Sequence, residues 1–323
     1  MIPSGMSELT QQVLLARSQA IKSHATTLGF DLVGIAAAVA TDHANYVRSF
    51  LATGQHGDMH YLASRLEERL DPAVYLPGAR AAVCVAINYH VPLTPADQEL
   101  ESPARIARYA LGDDYHEVLK AKLHRLADFI RQLDPSAVTK AAVDTAPVLE
   151  RELAARSGIG WVGKNTLLIH PRLGSYFFLG EVITTAELAL DSAMPDRCGT
   201  CTRCLDACPT GAFPAPYQMD ASKCISYLTI EHRSAIRPEL EERMDNWLYG
   251  CDICQEVCPW NSRAPTSHEE AFRPRWPSGT VSATAVASWS SEEYRSQLRH
   301  SAMRRVKLPV LQQSATRIAR KYL

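Results

Sequence analysis

The sequence predicts a mixed α/β (α+β) domain, followed by a cysteine-rich segment and a short helical tail. Helical and strand-like hydrophobic patterns alternate through the first 190 or so residues, without internal repeats. Eight of the nine cysteines then lie between positions 198 and 258, where the hydrophobic periodicity stops. We therefore divide the chain into residues 1–190, 191–265 and 266–323.

Four apolar stretches of the first segment predict strands, over residues 30–36, 81–89, 138–143 and 176–184. Helical spacing predicts helices over residues 9–28, 114–133 and 148–156. In the second helix, Leu119, Leu123, Leu126 and Ile130 recur at the spacing of one buried face. We expect the third helix to open at Pro147, because proline is favoured at the first helical position.

The composition is 46% hydrophobic and 21% charged, which is typical of globular proteins. No apolar run approaches the roughly 18 residues that cross a bilayer. The N-terminus, MIPSGMSELTQQ, lacks the basic start and apolar middle of a signal peptide. We therefore expect a cytoplasmic protein without a membrane partner.

Charge is distributed unevenly along the chain. From position 271 to the C-terminus, ten Lys and Arg stand against the two acids Glu292 and Glu293, so the tail carries +8 and the rest −9. The segment also contains Pro274 and Pro277 and ends in RIARKYL. We interpret it as a helical appendage that meets a polyanion.

The cysteine spacing predicts iron–sulfur chemistry. The run C-x2-C-x2-C-x3-C-P, from Cys198 to Pro209, is typical of bacterial-ferredoxin-like domains with two 4Fe-4S clusters, and its fourth cysteine ligates the other cluster. The second run is split, because Cys251, Cys254 and Cys258 match only its end and Cys224 must supply the first thiolate. The crossing rule assigns Cys198, Cys201, Cys204 and Cys258 to cluster 1, and Cys208, Cys224, Cys251 and Cys254 to cluster 2.

Zinc binding and disulfide formation account for these cysteines less well. Zinc knuckles also use C-x2-C pairs, but they seldom chain three successive cysteines that end in C-P. A disulfide framework is not expected in a chain without an export signal. Cys84 stands apart in the apolar stretch AAVCVAINY, where a small buried hydrophobe is the expected role.

Two further motifs need context. Residues 158–165, GIGWVGKN, satisfy G-x-G-x-x-G and nearly match a phosphate loop, but they follow a helical stretch, and Asn165 lacks the hydroxyl that binds magnesium. Nucleotide binding is therefore not favoured. Asp144 ends an apolar strand shortly before Pro147. It is either a helix cap or a buried acid whose pKa is raised until it donates a proton near neutrality.

With these motifs placed, the chain up to about Trp260 resembles the epoxyqueuosine reductase family, the cobalamin-dependent iron–sulfur enzymes that perform the last step of queuosine formation in tRNA. The resemblance rests on ARYALGDDYH (107–116), VDTAPVLERELA (143–154), GWVGKNTLLI (160–169), GSYFFLGE (174–181), DACPTGAF (206–213), CISYLTIE (224–231) and YGCDICQEVCPWN (249–261).

This resemblance implies a base-off cobalamin between the first domain and the ferredoxin-like domain, with one cluster near the corrin. Electrons would come from an external flavodoxin- or ferredoxin-type donor. The family's proton donor, the Asp of VD-[ST]-AP, falls on Asp144, which favours the acid over the cap. The corrin-contacting positions would be Arg69, Tyr109, Lys164, Ser226, Gly250 and Asp252, together with Asp144.

The implied substrate is a tRNA with epoxyqueuosine at the wobble position of its anticodon. The resemblance does not extend to the long helical-repeat domain of some family members, and we expect Arg304, Arg305 and Lys307 of the basic tail to contact tRNA phosphates.

Two other functions share some of these features. A corrinoid reductive dehalogenase-like enzyme would act on small molecules and is usually exported with a twin-Arg signal. A non-catalytic ferredoxin-type electron carrier would need only the cysteine segment, not the long domain that precedes it.

Overall fold

The computed structural model describes residues 8–95 and 100–322. Residues 1–7, on which part of the signal-peptide expectation rests, lie outside this range. The strands are β1 (Leu32–Ala37), β2 (Ala81–Asn88), β3 (Pro103–Ile106), β4 (Thr139–Ala142), β5 (Trp161–Val162), β6 (Leu168–Ile169), β7 (Phe177–Thr184), β8 (Trp247–Tyr249) and β9 (Thr280–Ser282).

The helices are α1 (Glu8–Thr27), α2 (Ala44–Ala52), α3 (Leu66–Leu70), α4 (Pro72–Tyr75), α5 (Tyr115–Leu133), α6 (Glu150–Arg156), α7 (Arg203–Asp206), α8 (Ile225–Ile230), α9 (Pro238–Glu241), α10 (Ile253–Glu256), α11 (Ala283–Ser288), α12 (Ser291–Gln297) and α13 (Leu308–Ala319). None of the helices in the described ranges is long and apolar enough to cross a membrane.

An antiparallel sheet with the order β1-β2-β7-β4 forms the centre of the first domain. Every residue of β2 is buried, because the strand has helices on both of its faces. Val83 and Val85 pack in the core with α1 and α5, whereas Ala82 and Cys84 pack with α6. This two-sided burial explains why the strand is continuously apolar rather than alternating.

The four predicted strands and the first two predicted helices are confirmed to within two residues at each end. In α5 the four predicted apolar residues are fully buried. The start of the third helix is wrong: α6 begins at Glu150, and its N-cap is Leu149 rather than a residue before Pro147. The chain between Val143 and Glu150 is a turn, and Asp144 in it has a positive φ of 42°.

The interpretation of the tail as an appendage is also wrong. Strand β9 pairs with β3, and Leu298, Leu311 and Ile318 are fully buried in a second core that also contains residues of β3 and β8. The apolar residues of α13 recur at helical spacing and so cover this core with one face. A sheet with the order β8-β3-β9 takes one strand from each of the three predicted segments. The segment boundaries themselves stay a prediction.

Candidate functional site

A cavity of about 330 Å³ lies beside the first cysteine run. Its walls include Cys198, Cys201, Cys204 and Cys258, the four cysteines predicted for cluster 1. Trp161 packs with Cys258 in a small apolar cluster at this cavity. The fold therefore returns Cys258 to the first run, as the crossing rule requires.

The cysteines predicted for cluster 2 form a second group. Cys224, Cys251 and Cys254 line a neighbouring, larger cleft. Burial raises the pKa of the Cys224 thiol, and the nearby Cys208 thiol raises it further, which places Cys208 in the same group. The two groups are adjacent. Burial raises the pKa of the Cys254 thiol, and it is raised further both by Cys224 and Cys251 of its own group and by Cys204 of the first group.

Both groups surround a space larger than a single ion needs. Among the described residues, no three or more His, Cys, Asp or Glu side chains are arranged to hold one metal ion. The thiolates of a 4Fe-4S cluster each bind a different iron of a cubane. The cavity between Cys198, Cys201, Cys204 and Cys258 has room for such a unit.

Lys164 belongs to the first cavity and does not line the larger cleft. Its Nζ donates hydrogen bonds to the carbonyl oxygens of Gly199 (2.6 Å) and Cys201 (3.0 Å). The structure thus places this predicted corrin contact at the loop of the first cysteine run. The GIGWVGKN motif runs from the end of α6 into the hairpin of β5 and β6, so it neither follows a strand nor opens a helix.

The larger cleft has a volume of about 830 Å³. Of the other predicted corrin contacts, Arg69, Tyr109, Asp144, Ser226 and Asp252 line it. The Asp252 side chain is buried, and its carboxylate accepts a hydrogen bond from the backbone N–H of Arg108 (2.7 Å). The cleft therefore extends from the second cysteine group to Asp144.

Gly250 does not line the cleft, although its two neighbours in the chain do. It has a positive φ of 67°, and a Cβ at this position would come within 2.5 Å of the Ala107 Cβ. The glycine is thus required for the close approach of two backbone segments behind the cleft wall.

Asp144 is held by a chain of hydrogen bonds that starts at the N-terminus of α5. The Asp114 carboxylate caps this helix and also accepts a hydrogen bond from His116 Nδ1 (2.7 Å). His116 Nε2 in turn donates to the Asp144 carboxylate (3.0 Å). The backbone N–H of Asp144 donates to the carboxyl group of Glu150. These bonds fix the Asp144 carboxyl at the wall of the cleft, with 54% of the side chain exposed.

The charges of this group differ from the sequence-based expectation. Burial alone would raise the pKa of Asp144, but hydrogen bonds from His116 and Tyr115 outweigh it and lower the pKa. Burial alone would lower the pKa of His116, but its bonds to Asp114 and Asp144 outweigh it and raise the pKa to about 9. The expected raised pKa of Asp144 is therefore wrong, since the shared proton resides on His116. The cap interpretation is wrong as well, because the N-cap of α6 is Leu149 and makes no side-chain cap.

Sequence reasoning missed His116, Asp114 and Glu150 as parts of this site. His116 and Asp144 are 28 positions apart and share no spacing signal. The local clue is Asp-x-His at the start of a helix, where one Asp both caps the helix and orients the ring.

The predicted tRNA contacts divide between two places. Arg305 lines the cleft, where its guanidinium donates to the Glu231 carboxylate through Nε and Nη2 (both 3.1 Å) and lies 5.7 Å from the ring centre of Tyr61. Arg304 and Lys307 are exposed and are not among the residues that line the cleft.

Comparisons with known proteins agree with this geometry. Residues 197–261 match the family "4Fe-4S double cluster binding domain", and residues 69–145 match "Epoxyqueuosine reductase QueG, DUF1730". The epoxyqueuosine reductase of Pseudomonas aeruginosa is 40% identical over 291 residues, which cover 89% of this chain and 81% of the relative. That of Gloeobacter violaceus is 43% identical over 302 residues, with coverage of 91% and 93%.

Two solved structures are also similar. The crystal structure of an epoxyqueuosine reductase with a tRNA-Tyr epoxyqueuosine-modified stem loop has a TM-score of 0.88 and 30% identity, and the match covers 94% of this chain and 81% of that one. The Bacillus subtilis epoxyqueuosine reductase with the Asp134 catalytic loop swung out of the active site has a TM-score of 0.87 and 29% identity, with coverage of 94% and 81%.

The raised pKa of His116 gives a first testable prediction. The His116 imidazole should titrate near pH 9. His170, whose pKa burial lowers to about 4, should remain neutral at every pH from neutral upwards. Because the folded pKa exceeds the unfolded value of about 6.5, the stabilisation is complete below that pH and is lost as the pH rises through 9. NMR titration, with His116→Gln to assign the resonance, measures this. A His116 midpoint near its ordinary value would contradict the charge assignment.

Proposed function

The chain belongs to the epoxyqueuosine reductase family and reduces epoxyqueuosine in tRNA, and we propose that Asp144 receives a proton from His116 and donates it to the oxygen that leaves the substrate. The observation that carries this proposal is the hydrogen-bonded group Asp114, His116 and Asp144 at one side of a cleft that also contains cysteines of the second group. An acid and a source of electrons thus face the same space.

The residues of the cleft fit a cobalamin. Two buried polar atoms at its wall, Arg69 Nε and Thr166 Oγ1, have no hydrogen-bond partner among the described residues and can bind a polar cofactor. Tyr109 and Ser226 supply an aromatic and a hydroxyl surface beside them. When bound, a cobalamin would supply a strongly reducing centre for the epoxide.

The two cysteine groups would hold the clusters that supply electrons to this cleft. The proposed ligands are Cys198, Cys201, Cys204 and Cys258 for cluster 1 and Cys208, Cys224, Cys251 and Cys254 for cluster 2. The second group borders the cleft and the first adjoins it from outside, so an external flavodoxin- or ferredoxin-type donor would reduce cluster 1 first.

The protein's own contribution to the reaction is the control of a proton. The His116 imidazolium gives its proton to the Asp144 carboxylate through their hydrogen bond, and Asp144 passes it to the departing oxygen. Asp114 accepts from the opposite ring nitrogen and so keeps the ring aimed at Asp144. Tyr115 also hydrogen bonds to Asp144 and limits its rotation.

The substrate class is supported by the relatives. A similar reductase binds an epoxyqueuosine-modified tRNA stem loop. In this chain, Arg305 and Tyr61 at the cleft would meet the modified nucleotide, while Arg304 and Lys307 would contact the phosphates outside. The dehalogenase-like and electron-carrier alternatives are not favoured, since the matching relatives over about nine-tenths of the chain are epoxyqueuosine reductases.

Iron analysis tests the ligand assignment. We expect eight irons and eight acid-labile sulfides per chain, because two cubanes need them. Cys224→Ser should reduce the iron to about four, whereas Cys84→Ser, which alters a buried thiol of the central sheet, should leave eight. Saturation of the unmodified protein at four irons would contradict two clusters.

Single-turnover reduction of an epoxyqueuosine-containing stem loop tests the acid. Asp144→Asn preserves the shape of the side chain but cannot carry the proton, so the rate should fall by roughly 100-fold to 10,000-fold. Asp128→Asn, the same change on the outer side of α5, serves as the control. A loss of less than about threefold in Asp144→Asn, with normal iron content, would rule out this role.

The salt dependence of tRNA binding tests the tail. Replacing Arg304 and Lys307 by Gln should weaken binding at low salt and flatten the plot of log affinity against log salt by about 0.7–0.9 for each phosphate that is no longer neutralised. Arg305→Gln should mainly lower the turnover, because this residue lines the cleft. Replacing Lys120 and Arg125, exposed on α5, removes the same charge elsewhere. Equal effects of the two double variants would contradict a specific contact.

A further inference from the structure

Glu150, the first residue of α6, lies at the cleft behind Asp144. Its carboxyl group accepts the backbone N–H of Asp144, which holds that residue in a left-handed conformation with φ +42°. A non-glycine residue keeps such a conformation only where its surroundings impose it. Glu150 is therefore part of the structure that presents the Asp144 carboxyl to the cleft.

Glu181 is a second acid near Glu150. It is fully buried in β7, opposite Ala142 of β4 and Cys84 of β2, and neither of its carboxyl oxygens has a hydrogen-bond partner among the described residues. Burial of an unpaired carboxylate is far more unfavourable than burial of the neutral acid. Glu181 therefore carries its proton.

The groups that face Glu150 are unequal in effect. Burial and the Asp144 carboxylate raise the pKa of Glu150, whereas the hydrogen bond from the Asp144 N–H, Arg151 and His116 lower it. Glu181 and the Cys84 thiol also face Glu150 from the central sheet. Arg69 and Tyr115 also face it. The balance favours the neutral acid, so Glu150 holds a proton at neutral pH beside the ionised Asp144.

The reaction has a use for this proton. Reduction of an epoxide to an alkene breaks both of its C–O bonds and releases the oxygen as water, which consumes two electrons and two protons. The pair of His116 and Asp144 shares one proton, so in each turnover it can supply only one of the two protons that the oxygen takes up. The second proton must come from another group at the cleft or from solvent.

We propose that Glu150 stores the second proton and returns it to the pair of His116 and Asp144 during the same turnover, through solvent in the cleft that both carboxyl groups line. This inference rests on the proposed function. Glu150 acts through Asp144 and not on the substrate, so it is a positioning residue that also stores a proton. After the transfer it is an anion, which the solvent reprotonates through the open cleft. Glu181 stays neutral behind it.

The test compares Glu150→Gln with Glu152→Gln, the same change two residues later in α6, where Glu152 binds Thr41 and Arg156 instead. Glutamine still accepts the Asp144 N–H, so the loop is retained while the proton is removed. We expect the single-turnover rate of Glu150→Gln to fall by roughly tenfold near neutral pH, a smaller loss than for a direct acid. The ratio of wild-type to variant rates should shrink as rising pH deprotonates Glu150. A purely structural role would leave this ratio independent of pH and would overturn the proposal.

Infrared spectroscopy of the iron-loaded protein gives a readout that needs neither cobalamin nor turnover. The C=O band of protonated carboxylic acids should lose one component in Glu150→Gln at neutral pH, and none in Glu152→Gln. If Glu150→Gln does not fold, Glu181→Gln still decides the question, because a protonated band that remains there and vanishes only above neutral pH belongs to Glu150, whereas Asp252, whose pKa burial raises to about 6, loses its proton below that. An unchanged band in Glu150→Gln, or its absence in Glu181→Gln, would overturn the proposal.

The two proposals fail in different ways. Full activity and an unchanged pH profile in Glu150→Gln, beside an inactive Asp144→Asn, would refute proton storage alone. Full activity in Asp144→Asn would refute the acid itself, whatever the infrared spectra show.

Discussion

The hydrogen bond between His116 and Asp144 is the interaction on which the site depends. It joins the first turn of α5 to the turn after β4, two segments that the central sheet brings side by side. Without it, the partial desolvation of Asp144 would raise the pKa of its carboxyl, and the left-handed turn would lose one of the contacts that hold it beside Glu150. With it, a positive and a negative group share one proton at the cleft wall. The pKa of Asp144 is therefore set by its ion pair with His116, and not by desolvation.

The rest of the fold keeps the second cysteine group fixed relative to this pair. Strands β3 and β8 are paired in one sheet. The chain continues from β3 to Tyr109 and from β8 to Cys251, so the pairing holds these two residues near each other. The C-terminal segment covers that sheet, and the Tyr249 hydroxyl donates to the Ala302 carbonyl oxygen (2.9 Å). Both walls of the cleft therefore belong to one packed body, which suits a reaction in which proton and electrons must arrive at the same atoms.

The sequence predicts those parts of the structure that depend on local spacing. The grouping of Cys258 with the first run follows from the ferredoxin-like pattern, and the strand that contains Cys84 follows from its apolar run. The bond between His116 and Asp144 depends on how β4 and α5 pack, which no periodicity encodes. The C-terminal segment is mispredicted because its charges are conspicuous, whereas its apolar residues are spread over short elements that form a core only together with β3 and β8.

The pairing of β3 with β8 carries a bulge, since Arg105 is opposite Trp247 but Ile106 is opposite Tyr249. The extra residue, Leu248, advances β8 by one position, about 3.3 Å along a parallel strand. Cys251 follows Tyr249 by two residues, just as Arg108 follows Ile106. The bulge therefore sets how far β8 has advanced, relative to the end of β3, when the chain reaches Cys251 at the cleft. A local irregularity of strand pairing, remote from Asp144, thus sets the relative position of Tyr109 and Cys251, two residues that line the cleft.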